Sequence, residues 1–328
     1  MKQTKWGVLG VSGHFLQRVV VPLSHSERVE VAAIASRDEE KARKAASAWN
    51  IPKAYGSYEQ LLEDPEIEAI YNPLPNHLHL EWIKKCADAG KPILCEKPLG
   101  MNAREVAEAI EYTEKRGVPL MEAFMYRFHD QWVHMRELAA CGEIGQVNAV
   151  QSHFSYKNTD PKNIRNRLDT GGGALLDIGC YAVSSARFIF GEEPTRAVSL
   201  VDRSAEFATD ILASGILRFP TGQATFTVGT QTFGAQAVHI LGSGGTITIE
   251  VPFNIYPDVG MPNYISTGVG ERVYEAGPED QYQRMFEAFS EAIERGEPVP
   301  TPIDDALNNQ KVLDALFRSE ESGAWEDV

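Results

Sequence analysis

Short apolar runs alternate with segments of helical period through the first third of the chain. Trp6–Leu9, Val29–Ile34, Ala69–Tyr71, Pro92–Cys95 and Val118–Met121 read as strands. Most of them carry no polar alternation, as expected of parallel strands covered by helices on both faces. Between them, Asp38–Trp49, His77–Ala89 and Asn102–Arg116 have apolar positions at helical spacing, the last with Asn102 as a cap and Gly117 just past its end. The alternation predicts an α/β doubly wound parallel sheet, a Rossmann-type domain over residues 1–123.

Beyond about residue 145 the pattern changes to long β-rich stretches: Val147–Tyr156, Arg196–Asp202, Ala213–Phe219, Gln223–Phe233, Ala237–Leu241 and Thr246–Glu250. Turn signals lie between them at Pro220–Gly222 and Gly242–Gly245. Successive strands joined by tight turns predict a large, mostly antiparallel open sheet in an α+β domain over residues 124–328. Helical patterns at Gln131–Ala140, Ala174–Phe190, Asp280–Arg295 and Asp304–Ser322 are expected to cover one face of that sheet. The other face is expected to pair with a second subunit, giving a homodimer or homotetramer.

Composition narrows the class. The chain has 328 residues, 43% hydrophobic and 23% charged, enough apolar material for two globular cores. Its net charge of −15 is spread over short acidic clusters with no basic stripe, which argues against nucleic acid and anionic membranes and for a small-molecule substrate. No apolar run approaches the roughly 20 residues of a membrane span, and Met1–Trp6 lacks the apolar core of a secretion signal, so a cytoplasmic location is expected. Four scattered cysteines without C-x-x-C spacing predict free thiols and no metal.

Gly7-Val8-Leu9-Gly10-Val11-Ser12-Gly13-His14-Phe15 stands where the first strand would turn into the first helix. Read from Gly10, the G-x-G-x-x-G template finds Ser12 at its second glycine and Phe15 at its third, so the letters alone fit a structural turn as well as a cofactor loop. Position favours the cofactor. Gly10 permits the sharp turn, and the amides of Val11, Ser12 and Gly13 at a helix start suit a pyrophosphate.

The second strand ends in Ala35-Ser36-Arg37, where an NAD enzyme normally places an acid against the ribose hydroxyls. Ser36 offers a hydrogen bond, Arg37 a bidentate fork for a 2′-phosphate, and Lys41 a second cation one turn later. NADP is therefore expected over NAD. Arg37 could alternatively be a solvated residue beside Asp38, Glu39 and Glu40.

Glu96-Lys97-Pro98 follows the strand Pro92–Cys95, so a lysine projects from the carboxyl edge of the sheet, where cofactor and substrate meet in such folds. Pro98 fixes the backbone there and is a candidate for a cis bond. Glu96 could orient the lysine or contact the nicotinamide carboxamide. Further on, Thr170-Gly171-Gly172-Gly173 leads into an apolar helix bearing Asp177 and Tyr181 on one face, either a satisfied core pair or an acid/base pair.

Four segments together resemble the glucose-fructose oxidoreductase / inositol dehydrogenase (Gfo/Idh/MocA) family: Tyr71 to His79, Glu96-Lys97-Pro98, Glu122 to His129, and Gly171 to Tyr181. The tyrosine at 181 is similar to the branch holding glucose-fructose oxidoreductase, NADP-linked D-xylose dehydrogenase and dihydrodiol dehydrogenase. Phe15, bulkier than the small residue usual at that helix, and Asp130, where proline is common, depart from the pattern.

The resemblance implies an enzyme acting on CH–OH groups. It places Lys97 beside the nicotinamide and the substrate hydroxyl, makes Tyr181 the proton carrier, and has Asp177 bind or orient the substrate. It puts Pro73, Asn76, His79 and Arg165 by the cofactor and Tyr126 and Phe154 facing the substrate. A tyrosine titrates near 10 when free, so a cation such as Lys97 would help stabilise the phenolate that accepts a hydroxyl proton. The expected activity is NADP-dependent hydride transfer at a sugar or polyol hydroxyl. The alternatives are reduction of a dicarbonyl, oxidation of a cyclic diol, or a non-catalytic NADP-binding regulator, and a cofactor retained between two substrates also fits.

Overall fold

In the computed structural model, which describes residues 2–328, the chain divides into two compact units. One comprises Met1–Met125 with Tyr282–Leu307, and the other Tyr126–Gln281 with Asn308–Val328.

In the first unit, β1 (Thr4–Leu9), β2 (Val29–Ala35), β3 (Lys53–Tyr55), β4 (Ala69–Asn72), β5 (Ile93–Cys95) and β6 (Leu120–Glu122) form one sheet in the order β3-β2-β1-β4-β5-β6. All its pairings are parallel. This is the doubly wound order, and its reversal at β1 and β4 opens a crevice at the strands' carboxyl ends. The central strands are buried on both faces, which is why their sequences show apolar runs rather than alternation. Asp38 caps the helix Glu39–Trp49 and Asn102 caps the helix Ala103–Glu114, each accepting an amide from the first turn.

Two elements here escape periodicity. β3 is three residues at the sheet edge, all partly exposed, and the helix Tyr58–Glu63 has six residues under a Ser57 cap. The helix Gln281–Arg295, expected on the second sheet, belongs instead to this unit. Trp6 packs its ring on Phe286 and Phe289, with centroids 4.6 and 5.5 Å apart, and donates to Ser290 Oγ at 3.1 Å. An amphipathic helix shows which of its faces is buried but not which sheet covers it.

In the second unit, β7 (Val147–Lys157), β8 (Arg196–Arg203), β9 (Asp210–Arg218), β10 (Gln223–Gly229), β11 (Gln231–Gly242), β12 (Gly245–Ile249), β13 (Met261–Thr267), β14 (Gly270–Ala276) and β15 (Glu326–Asp327) make a nine-stranded sheet. Their order is β14-β13-β12-β11-β7-β10-β9-β8-β15, mostly antiparallel as expected. Only β7 with β10 pairs in parallel. The single strand expected over Gln223–Phe233 breaks at Thr230 into β10 and β11. β13 and β14, rich in polar residues with Pro262 inside the first, carry too little alternation to read.

One face of this sheet carries the helices Cys180–Phe190 and Asp304–Ser322; Ser199 on β8 bonds Leu316 and Ser319 of the latter. The opposite face bears Leu200, Ile216, Tyr264 and Val273, which the strand registers place on one side and which are 38–75% exposed. Leu168–Phe190 is apolar and long enough to cross a membrane, contrary to the reading of short apolar runs, but 83% of its apolar window is buried inside the fold.

Candidate functional site

In the first unit the turn after β1 is set by Gly10, at φ +91°, whose amide donates to Ala35 O at 2.9 Å. A Cβ there would meet Leu74 Cδ2 at 3.0 Å, whereas one on Gly13 would meet no atom within 4 Å. Ser12 Oγ accepts the Phe15 amide at 3.0 Å and so starts the helical stretch Phe15–Ser24, whose first turn is a π turn. Open space over Gly13 beside an exposed helix start is a cradle that suits a pyrophosphate. Phe15 is fully buried, 5.9 Å from the ring of Tyr71, so its bulk is taken up inside and does not fill the cradle.

At the end of β2, Ser36 accepts the Asp38 amide at 3.2 Å, and Asp38 in turn accepts the Lys41 amide at 3.1 Å as a helix cap. The nearest acid is thereby engaged by backbone. Arg37 is exposed and hydrogen-bonds Tyr58; burial raises the pKa of that phenol, and the neighbouring guanidinium pulls against the rise. Lys41 is exposed one turn on.

At the end of β5, Tyr71 donates to Glu96 Oε1 at 2.6 Å, and Glu96 Oε2 accepts the Lys97 amide at 3.3 Å. Lys97 is half-buried and its bond to Pro98 is cis. Pro73 and Asn76 are partly exposed beside this edge. His79 is different. It is fully buried, with Nδ1 3.0 Å from Pro98 O and Nε2 2.8 Å from Leu74 O, and burial lowers its pKa. The expectation that it lines the cofactor groove is corrected: the ring is enclosed between the Leu74 and Pro98 carbonyls, to one of which the neutral imidazole donates.

In the second unit, Gly171, Gly172 and Gly173 pack directly on the preceding loop. A Cβ at Gly172 would lie 2.5 Å from Arg165 O, and one at Gly173, φ +122°, would lie 1.9 Å from Asp210 Oδ1. The Gly173 amide donates to Arg165 O at 2.9 Å, and Asp210 Oδ2 accepts the Leu175 amide at 2.6 Å. A π turn, Leu175–Gly179, then leads into the helix Cys180–Phe190 and carries Asp177. Such turns recur at functional sites.

Asp177 Oδ2 accepts from Tyr156 Oη at 2.6 Å and from Arg165 Nε at 2.8 Å. Arg165, expected by the cofactor, is therefore an ion-pair partner of Asp177. Burial, and then the Asp177 charge, push the Tyr156 phenol far above its usual range. Tyr181 is 6% exposed against Phe253, Phe154 and Tyr126, with ring centroids 5.2, 5.7 and 6.0 Å away. Phe154 thus walls the tyrosine. Tyr126 does not face an open pocket: it is fully buried and its hydroxyl is held by Ser184 at 2.6 Å and Arg127 at 3.3 Å.

Tyr156 escaped the sequence reading. Its signal was strand period: it lies two residues after Phe154 on β7, on the same face.

A doubly wound sheet with an open glycine cradle at β1 and a lysine at the end of β5 defines a dinucleotide-dependent oxidoreductase. Residues 4–124 match the oxidoreductase family with an NAD-binding Rossmann fold, and residues 132–248 match the GFO/IDH/MocA C-terminal domain. The chain belongs to the Gfo/Idh/MocA family and is an NAD(P)-dependent oxidoreductase.

Among its relatives, D-xylose 1-dehydrogenase (NADP(+)) 2 of Haloferax volcanii is 39% identical over 97% of this chain and 98% of its own. Trans-1,2-dihydrobenzene-1,2-diol dehydrogenase of Xenopus laevis is 34% identical over 94% and 99%. The crystal structure of a 3-ketoreductase from Actinomadura kijaniata, in complex with NADP and TDP-benzene, superposes with a TM-score of 0.90 at 26% identity, covering 97% and 98% of the two chains.

Proposed function

We propose that the protein is an NADP-dependent dehydrogenase or reductase that moves a hydride between the nicotinamide and a sugar or polyol hydroxyl. The observation that carries this reading is the turn bearing Asp177 and Tyr181: a carboxylate paired with Arg165, one helical turn before a tyrosine walled by aromatic rings. A binding protein without chemistry has no use for that pair.

In the oxidative direction Tyr181 accepts the proton of the substrate hydroxyl, and Lys97 supplies positive charge to the developing alkoxide. Asp177 accepts a hydrogen bond from the substrate and fixes its pose. The substrate C–H bond breaks as the C=O bond forms, and the nicotinamide, when bound, supplies the hydride acceptor. On the cofactor side, the amides of Val11, Ser12 and Gly13 would hold the pyrophosphate, Ser36, Arg37 and Lys41 the 2′-phosphate, and Pro73, Asn76 and Glu96 the nicotinamide end. Supporting NADP are the two cations at the end of β2, Arg37 and Lys41, both exposed, and the engagement of the nearest acid, Asp38, as a helix cap by the Lys41 amide.

We propose further a cytoplasmic homo-oligomer. Free cysteines at 86, 95, 141 and 180 suit a reducing compartment, and Leu200, Ile216, Tyr264 and Val273 leave an apolar face of the nine-stranded sheet to be covered.

The test is a panel of aldoses, polyols and dicarbonyls with NADP(H) and NAD(H), followed at the nicotinamide absorbance band. Turnover of an aldose or polyol with NADP is expected, and Arg37→Ala should cut the NADP-over-NAD ratio of kcat/KM by about tenfold or more, the loss of a bidentate charged contact. Tight NADP(H) binding without turnover of any compound would instead make the protein a regulator.

A further inference from the structure

Asp177 is gripped from two directions by residues distant in sequence. Tyr156 reaches it from β7 and Arg165 from the 3-10 turn Ile164–Asn166, and both donate to the same oxygen, Oδ2, at 2.6 and 2.8 Å. The Arg165 end is fixed by backbone: the Gly173 amide donates to Arg165 O, and Gly172 lies so close to that carbonyl that no side chain fits. Asn163 Oδ1 accepts the Arg165 amide at 3.0 Å and caps the same turn. The carboxylate side chain is only 12% exposed, whereas the arginine is 37% exposed.

We propose that Tyr156 and Arg165 form a clamp that holds Asp177 ionised and in a single orientation, as positioning residues for the substrate contact and proton transfer made on that helix turn. This rests on the reading of Asp177 and Tyr181 given above.

Two donors on one carboxylate oxygen favour its charged form and restrict its rotation. Among the groups around Asp177 are its donors Tyr156 on β7 and Arg165 on the 3-10 turn; the charge of Asp210 from β9 is felt at Tyr156, and that of Tyr181 at Arg165. The Tyr156 phenol, held far above its ordinary range, stays a donor throughout the working pH. Arg165 feels the charge of both Asp177 and Tyr181, so its guanidinium also favours the phenolate that proton transfer demands. Removing the Tyr156 hydroxyl leaves its ring packing and the ion pair in place but takes one donor from the carboxylate.

The test uses Tyr156→Phe and Arg165→Lys in the full chain, with two readouts. In protein labelled with 13C at aspartate carboxyls, the Asp177 resonance is assigned by its loss in Asp177→Asn and titrated. The pH profile of kcat/KM is measured on the substrate found in the panel above.

In Tyr156→Phe the clamp predicts that the Asp177 titration and the acid limb of the profile both move up by about one pH unit. At pH below the wild-type limb, kcat/KM should fall about tenfold while NADP binding is unchanged. Arg165→Lys should retain more activity than Arg165→Met, because it keeps the charge. An unmoved Asp177 titration in Tyr156→Phe overturns the clamp. A moved titration with an unmoved kinetic profile overturns the positioning role and leaves the proposed activity standing. A wild type that turns over nothing overturns the proposed activity, while the carbon titration still decides the clamp.

Discussion

Two glycine turns in this chain do opposite work. In the first unit, Gly13 stands over open space; a methyl group there would meet nothing within 4 Å. In the second, Gly172 and Gly173 lie against the Arg165 carbonyl and the Asp210 carboxylate so closely that a methyl group would fall 2.5 and 1.9 Å from them. Open space is shared by surface glycines such as Gly117 and Gly191, so it is the place of Gly13 at the end of β1 that suits a ligand, whereas Gly172 and Gly173 are demanded by packing and place side chains. On the proposed function, the first unit presents backbone to a cofactor, while the second presents an arranged set of side chains to a substrate.

The comparison predicts opposite results for the same substitution. Gly173→Ala combines a positive φ with an overlap against Asp210, and should lower unfolding free energy by about 3 kcal/mol or more, read by urea denaturation. Wild-type stability in that variant would show that the second glycine turn is not set by packing. Gly13→Ala should leave stability within about 0.5 kcal/mol yet weaken NADP binding roughly tenfold, measured by calorimetry. Unchanged binding there would mean that the open space at β1 does not hold the pyrophosphate.

A smaller effect separates the edge that carries Lys97. Burial lowers the His79 pKa, so the folded protein keeps this imidazole neutral while the unfolded chain protonates it near 6.5. A depressed value means that its contribution is fully present above about pH 6.5 and is lost as pH falls. Thermal unfolding of wild type and His79→Gln should therefore converge on acidification from pH 8 to pH 5. Curves that stay parallel would remove His79 from the pH response.

Backbone placement also explains what the sequence made legible. Gly10, Ser36, Arg37, Glu96 and Lys97 sit at the ends of strands whose apolar runs can be read directly, so locating the strand locates the residue. The doubly wound sheet and the open, mostly antiparallel one were legible for the same reason. The Asp177 site is assembled from segments 12 and 21 residues apart, and no local period reports that Arg165 and Tyr156 meet on one oxygen. His79 and Tyr126 were misplaced because a polar side chain beside a groove motif can turn inward and satisfy buried backbone or hydroxyl partners. The short β3 and the break at Thr230 depend on edge pairing and register, which hydrophobic period does not encode.

The central claim is that Lys97 and Tyr181 carry the chemistry of a bound nicotinamide cofactor. Its most direct test is kcat on the preferred sugar or polyol, with the NADP dissociation constant measured alongside, in wild type, Lys97→Met and Tyr181→Phe. The account predicts that each substitution lowers kcat by about 10²–10⁴-fold while NADP binding stays within a few-fold of wild type. Full turnover in both variants would contradict it.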